Sequence, residues 1–152
     1  MKILVLHGPN MNMLGVREPS LYGNTTLEQL NTQLTAYGQK HDLQISTYQS
    51  NHEGMLIDMI QNSYQKIDYI VFNPAAFTHT SIAILDALRA VNIPFIEVHI
   101  THIAQREKMR QHSYFRPYAI GTIAGLGIHS YFTALDALKH MQHTTNNEEI
   151  TR

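Results

Sequence analysis

Five short aliphatic runs, separated by stretches with helical apolar spacing, constrain this chain more than any other feature. The clearest run is DYIVFN at 68–73, apolar without alternation, the pattern of a strand covered on both faces. The run at 2–7 reads the same way, 95–98 and 119–124 are the fourth and fifth strands, and 43–49 alternates apolar and polar residues and is expected near a sheet edge. Between them, Thr25 or Thr26 caps a helix that ends near His41 and carries Leu27, Leu30, Leu34 and Tyr37 on one face. A second helix, 53–65, aligns Met55, Leu56, Met59, Ile60 and Tyr64. A third begins at Ser81, runs through Ile82, Leu85, Leu88 and Val91, and is stopped by Asn92 and Pro94. The last amphipathic helix spans 128–141, and 105–111 is a candidate short helix ahead of Pro117. Strand and helix thus alternate five times. This predicts one α/β domain at 1–142, a doubly wound five-stranded parallel sheet in three α/β/α layers, with a polar, disordered tail at 143–152.

Such sheets bind ligands beyond the carboxyl ends of their strands, where the strand order reverses. The polar candidates fall there. Asn10 and Asn12 follow the first strand, Asn73 and His79 the third, and Glu97 and His99 end the fourth. The first of these loops, LHGPNMNMLGVREPSLYG at 6–23, holds five Gly and Pro residues that break regular structure, and ordered loops of this length tend to be lids or binding loops. Arg17 lies close before Tyr22 in it. A phenol with a reference pKa near 10 acts as a base at neutral pH only beside a fixed positive charge, and lowering it by about three units takes roughly 4 kcal/mol.

Several classes are excluded or weakened by composition. A net charge of -1 gives no basic surplus for nucleic acid. With no cysteine there is no disulfide, thiolate metal site or cysteine nucleophile. No stretch approaches the roughly 20 apolar residues of a membrane span, and no signal peptide is legible, so the expected location is the cytoplasm. The glycines after the first strand match neither a dinucleotide nor a triphosphate loop. Ten histidines, with His99 and His102 three apart and His112 beyond, keep a metal site open, although no HExxH or equivalent spacing appears.

Cofactor-free acid–base chemistry uses the remaining set. Glu97 and His99 share one side of a strand, so the carboxylate can orient an imidazole acid; a purely structural pair at a strand end is the alternative. Asn73 and His79 suit hydroxyls, and Arg106, Arg110 and Arg116 suit a carboxylate. The implied substrate is small, polyhydroxylated and anionic.

The loop at 6–23 together with QSNHEG, NPAAFTHTSIAILDAL, EVHITHIAQREKMRQHSY and GLG resembles the type II 3-dehydroquinate dehydratase family, in that family's order and spacing. The resemblance implies a flavodoxin-like fold, a homododecamer of four trimers, and cofactor-free dehydration of 3-dehydroquinate through an enolate, in the shikimate pathway or in quinate breakdown. It also implies roles: Tyr22 as base, Arg17 as its lid partner, Asn10 holding a water at the enolate oxygen, and His99 as general acid supported by Glu97. Asn73, His79, Arg110 and the backbone of Ile100 and Thr101 resemble the substrate clamp, Arg106 is a further site arginine, and Asp86 resembles a residue reaching a neighbouring subunit's site. Three positions depart from the pattern. Thr101 adds a methyl to the usual hydroxyl, His102 replaces an asparagine and puts the local turn in question, and Leu85 stands where an arginine is common and bears on the trimer contact. The alternative is an inactive flavodoxin-like module that binds a small molecule or only assembles.

Overall fold

The computed structural model describes residues 1–16 and 24–150, so Arg17 and Tyr22 lie outside the described residues. Five strands, β1 (Lys2–His7), β2 (Gln44–Gln49), β3 (Tyr69–Asn73), β4 (Phe95–His99) and β5 (Gly121–Ala124), form one sheet of order β2-β1-β3-β4-β5. All pairings are parallel, the flavodoxin-like arrangement. The strand expected near an edge, β2, is one of the two edge strands, and β5 is the other.

Because side chains alternate across a strand, β1 feeds two cores. Ile3 and Val5 join Val71, Ile96 and Val98 under α1 (Leu27–Lys40) and α4 (His129–Ile150). Leu4 and Leu6 join Ile70 and Phe72 under α2 (Glu53–Asn62) and α3 (Ile82–Val91). Each such side chain, fully buried, contributes roughly 1.5–3 kcal/mol.

Local signals set the helix ends. Thr26 and Gln29 close a reciprocal capping box at α1. Ser81 Oγ accepts the Ile84 amide at 2.9 Å to start α3, and Asn92, at φ 53°, ends it in the left-handed conformation. Leu85 is buried in the second core, so this departure from the family pattern packs inward within the chain. Four spans differ from expectation. α2 stops at Asn62 rather than 65, because the chain turns over Ser63 into Gln65 at φ 58°; Tyr64 in that turn is exposed, and so is Met55 within the helix. Residues 105–111 form no continuous helix but belong to two single 3-10 turns, Ile103–Gln105 and Lys108–Arg110. β5 begins at Gly121, because Ala119 is still in a turn, its amide donating to the Phe115 carbonyl. α4 continues past Met141 to Ile150, a stretch with neither glycine nor proline to stop it.

At the switch point, β1 and β3 pair with His7 opposite Asn73. Just beyond, Gly8 donates its amide to the Asn73 carbonyl at 2.7 Å, and a Cβ there would lie 2.3 Å from the Pro74 oxygen. Only glycine permits this approach. His7 is fully buried: Nε2 donates to Asn31 Oδ1 at 3.0 Å, and Nδ1 accepts the Tyr131 hydroxyl at 2.9 Å. That hydroxyl in turn accepts from Asn73 Nδ2 at 2.9 Å. One directed chain of hydrogen bonds therefore ties α1, β1, α4 and β3 together.

Two outcomes follow from this joint. Gly8→Ala forces backbone apart and is expected to lower the unfolding free energy by about 1–3 kcal/mol in urea titrations. Burial lowers the His7 pKa from 6.5 to about 4, against the opposing bond to Asn31, so the folded chain keeps it neutral while the unfolded chain protonates it. Its stabilisation is present above pH 6.5 and lost as pH falls to about 4, a loss on the order of 3 kcal/mol. Urea unfolding across that window is expected to show the loss in the parent chain and a flatter profile in His7→Gln.

Candidate active site

The carboxyl ends of β1, β3 and β4 frame a cleft of about 210 Å³. Pockets for drug-sized ligands run roughly 300–1,000 Å³, so the described residues enclose room for a small molecule. Asn10 enters from the β1 loop, and Asn73 and His79 from the end of β3. His99, Ile100 and Thr101 enter from the end of β4, and Arg106 and Arg110 from the segment after it. A larger, shallower groove of about 810 Å³ along α1 takes in Asn12, Asn31 and Glu28, with no histidine or arginine; Asn12 is thus placed away from the cleft.

Asn10 sits at φ 66°, a left-handed conformation that asparagine tolerates better than most residues. Its amide donates to Asn51 Oδ1 at 2.9 Å, so the end of β2 fixes the β1 loop. Ala75 also lines the cleft and has φ 52°, where an L side chain with a Cβ is strained by roughly 1–2 kcal/mol. Its amide donates to Asn73 Oδ1 at 3.1 Å. With Nδ2 donating to Tyr131, the Asn73 amide is held at both ends.

His79 is oriented by a bond from Nδ1 to the His112 carbonyl at 2.5 Å. Burial lowers its pKa, and the His99 and Arg110 charges push the same way. A neutral ring donating through Nδ1 leaves Nε2 as an acceptor suited to a hydroxyl. His99 is buried, and its Nε2 lies 2.6 Å from Oε1 of Glu97, itself fully buried. The ring's Nδ1 edge is left for the cleft. Ser130 Oγ donates to the His99 carbonyl at 2.8 Å and holds the strand end from behind.

Arg106 and Arg110 flank Glu107, whose carboxylate lies 2.7 Å from Arg110 Nε and 3.5 Å from Arg106 Nε. The bond to Arg110 leads in holding this carboxyl well below the usual carboxylate range. The two arginines are therefore gathered by an internal acid at the mouth of the cleft. Together these groups offer a histidine edge, a neutral acceptor, fixed amides and a cationic rim, a set suited to a small hydroxylated anion.

Other expected positions fall elsewhere. Arg116 is exposed and does not line the cleft. Asp86 is on the exposed face of α3, outside the cleft of its own chain. His102 is exposed against Gly125, which has φ 90° and would place a Cβ 3.0 Å from that of His102, while its carbonyl still starts the 3-10 turn at 103. His112 packs its ring edge-on against Tyr114, and among the described residues no three His, Asp or Glu gather as metal ligands. Sequence reasoning missed Asn51, Glu107, Ser113 and Tyr131. The first three lay inside the quoted motifs, but nothing local marked their partners.

Residues 1–139 match the family described as dehydroquinase class II. The chain is 54% identical over 138 residues to a 3-dehydroquinate dehydratase of Legionella pneumophila (strain Lens), covering 90% of this chain and 95% of the relative. It is 50% identical over 143 residues to a catabolic 3-dehydroquinase of Talaromyces marneffei, covering 94% and 78%. The crystal structure of a type II dehydroquinase from Butyrivibrio crossotus DSM 2876 superposes with a TM-score of 0.89 at 46% identity, over 91% of this chain and 97% of that one. With one family pattern running from the first strand into the last helix, and close likeness in both sequence and fold, this chain belongs to the type II 3-dehydroquinate dehydratases.

Proposed function

We propose that the chain dehydrates 3-dehydroquinate to 3-dehydroshikimate without a cofactor. The observation that carries this reading is the convergence of Asn10, Asn73, His79, His99, Arg106 and Arg110 on one small cleft, with a buried carboxylate behind the histidine. Tyr22, as phenolate beside Arg17, removes a proton from the carbon next to the ketone and leaves an enolate. Asn10 holds a water against the enolate oxygen. His99, charged and braced by Glu97, gives a proton to the departing hydroxyl, which leaves as water. The carbon–oxygen bond breaks as the double bond forms, and a proton passed from Tyr22 back to His99 resets both groups.

The neutral His79 accepts from a substrate hydroxyl, Asn73 bonds another, and the Ile100 and Thr101 amides with Arg106 and Arg110 take the carboxylate. Asp86, outward on α3, suits a role across a subunit boundary in a dodecamer of four trimers. The reaction would serve aromatic biosynthesis or quinate breakdown in the cytoplasm.

Mixing the purified chain with 3-dehydroquinate is expected to raise the ultraviolet absorbance of the conjugated product, with or without a chelator; no rise from folded protein would overturn the reading. Tyr22→Phe and His99→Ala are each expected to lower kcat by about 10²–10⁴ with circular dichroism unchanged. Arg17→Ala is expected to cost at least roughly a hundredfold, the scale of a lost charge-stabilising donor. Full activity in Tyr22→Phe would remove the base assignment while leaving the reaction in place.

A further inference from the structure

Behind the cleft, the hydroxyl of Ser113 has hydrogen bonds with only one consistent direction. The amides of Phe115 and Arg116 both donate to Ser113 Oγ, each at 3.1 Å. A hydroxyl has two lone pairs and one proton, so with both acceptor positions filled by groups that cannot accept, Ser113 can only donate. Its oxygen lies 2.9 Å from both Oε1 and Oε2 of Glu97. Glu97 is fully buried, Ser113 is 5% exposed, and His99 Nε2 is 2.6 Å from Oε1. A donor aimed at both oxygens favours an accepting carboxylate over a carboxylic acid. The proton between Glu97 and His99 then belongs on the imidazole.

We infer that Ser113 is a positioning residue for the reaction: its one-way hydrogen bond holds Glu97 as an acceptor, keeps the shared proton on His99 Nε2, and so fixes the Nδ1 edge toward the substrate. The inference rests on the dehydratase reading and adds a residue that does not touch the cleft. Ser113 also fixes where the arginine segment returns. The next residue, Tyr114, donates its amide to the Thr78 carbonyl at 3.1 Å, and the preceding His112 carbonyl takes the His79 bond. A lost serine hydroxyl therefore acts on proton placement at His99 before it acts on the substrate clamp, which has these two ties of its own.

The test compares the parent chain with Ser113→Ala in steady-state turnover of 3-dehydroquinate, in water and in deuterium oxide. The expected result is a kcat lower by roughly 10- to 100-fold, a part of what a positioned general acid supplies, with KM within about threefold. The solvent isotope effect on kcat is expected to rise, because proton donation becomes slower relative to the other steps; a merely structural role would leave it unmoved. Should Ser113→Ala fail to fold, Ser113→Cys takes its place, filling the volume with a weak donor, and is expected to show the same pattern. A kcat within about threefold of the parent, or a rise in KM with an unchanged isotope effect, would overturn the inference. An inactive parent would instead overturn the dehydratase reading, so the two failures are distinguishable.

Discussion

The pairing of β1 with β3 in the register that sets His7 beside Asn73 is the constraint on which the site depends. Both faces of these strands are apolar, so a slip of one residue would exchange Ile3 and Val5 for Leu4 and Leu6 and still bury hydrophobic groups. Alternation cannot choose the register here, as it does in a half-exposed strand. The polar strand ends choose it. Only in this register does the directed chain from Asn73 through Tyr131 and His7 to Asn31 close, and a slip would leave buried donors and acceptors unpaired at roughly 1–3 kcal/mol each. The Gly8 contact with Pro74 adds a steric stop at the same point.

Several energetic burdens of the fold lie at the cleft. Glu97 is a buried acid, tolerable because His99 and Ser113 together satisfy it. Asn10 and Ala75 sit in left-handed backbone, and each is held there by a bond from a distant residue or a neighbouring side chain. Away from the cleft, apolar helix faces pack over apolar strands, Thr26 and Ser81 cap two helices, and the remaining left-handed residues, Asp42, Gln65 and Asn92, sit in turns at or just beyond helix ends. The buried acid and the two left-handed residues that line the cleft fit a site built for geometry at some expense of stability.

Much of this was legible in the sequence because it is written locally. Unbroken apolar runs gave the buried strands, alternation gave the edge position of β2, and Ser81 and Asn92 gave both ends of α3. Convergence of Asn10, Asn73, His79 and His99 came from topology, since every parallel strand delivers its carboxyl end to the same rim. Their partners were not legible. Asn51 meets Asn10 across 41 residues, Tyr131 meets His7 across 124, and Ser113 meets Glu97 across 16, and no periodicity encodes such pairs. The short turns at 103–105 and 108–110 escaped for a related reason: each is a single 3-10 turn whose sequence reads equally well as part of one helix.

The stretch from His99 to Ser113 combines a fixed frame with an adjustable rim. Its two ends are anchored in the core, His99 by Glu97 and Ser130, Ser113 by Glu97 and the amides that follow it. Both anchors share one carboxylate, so the imidazole and the return of the loop are referenced to the same buried point. Between them, Arg106 and Arg110 are part-exposed and tethered to the exposed Glu107, an arrangement weakened by solvent screening. In the proposed reaction, an arriving carboxylate would compete with Glu107 for the same guanidinium groups, and exchange of one acid for another would require little movement of the frame. The histidine edge can thus stay in place while the arginines change partners, as expected where orientation at the reacting atoms matters more than strength of binding at the rim.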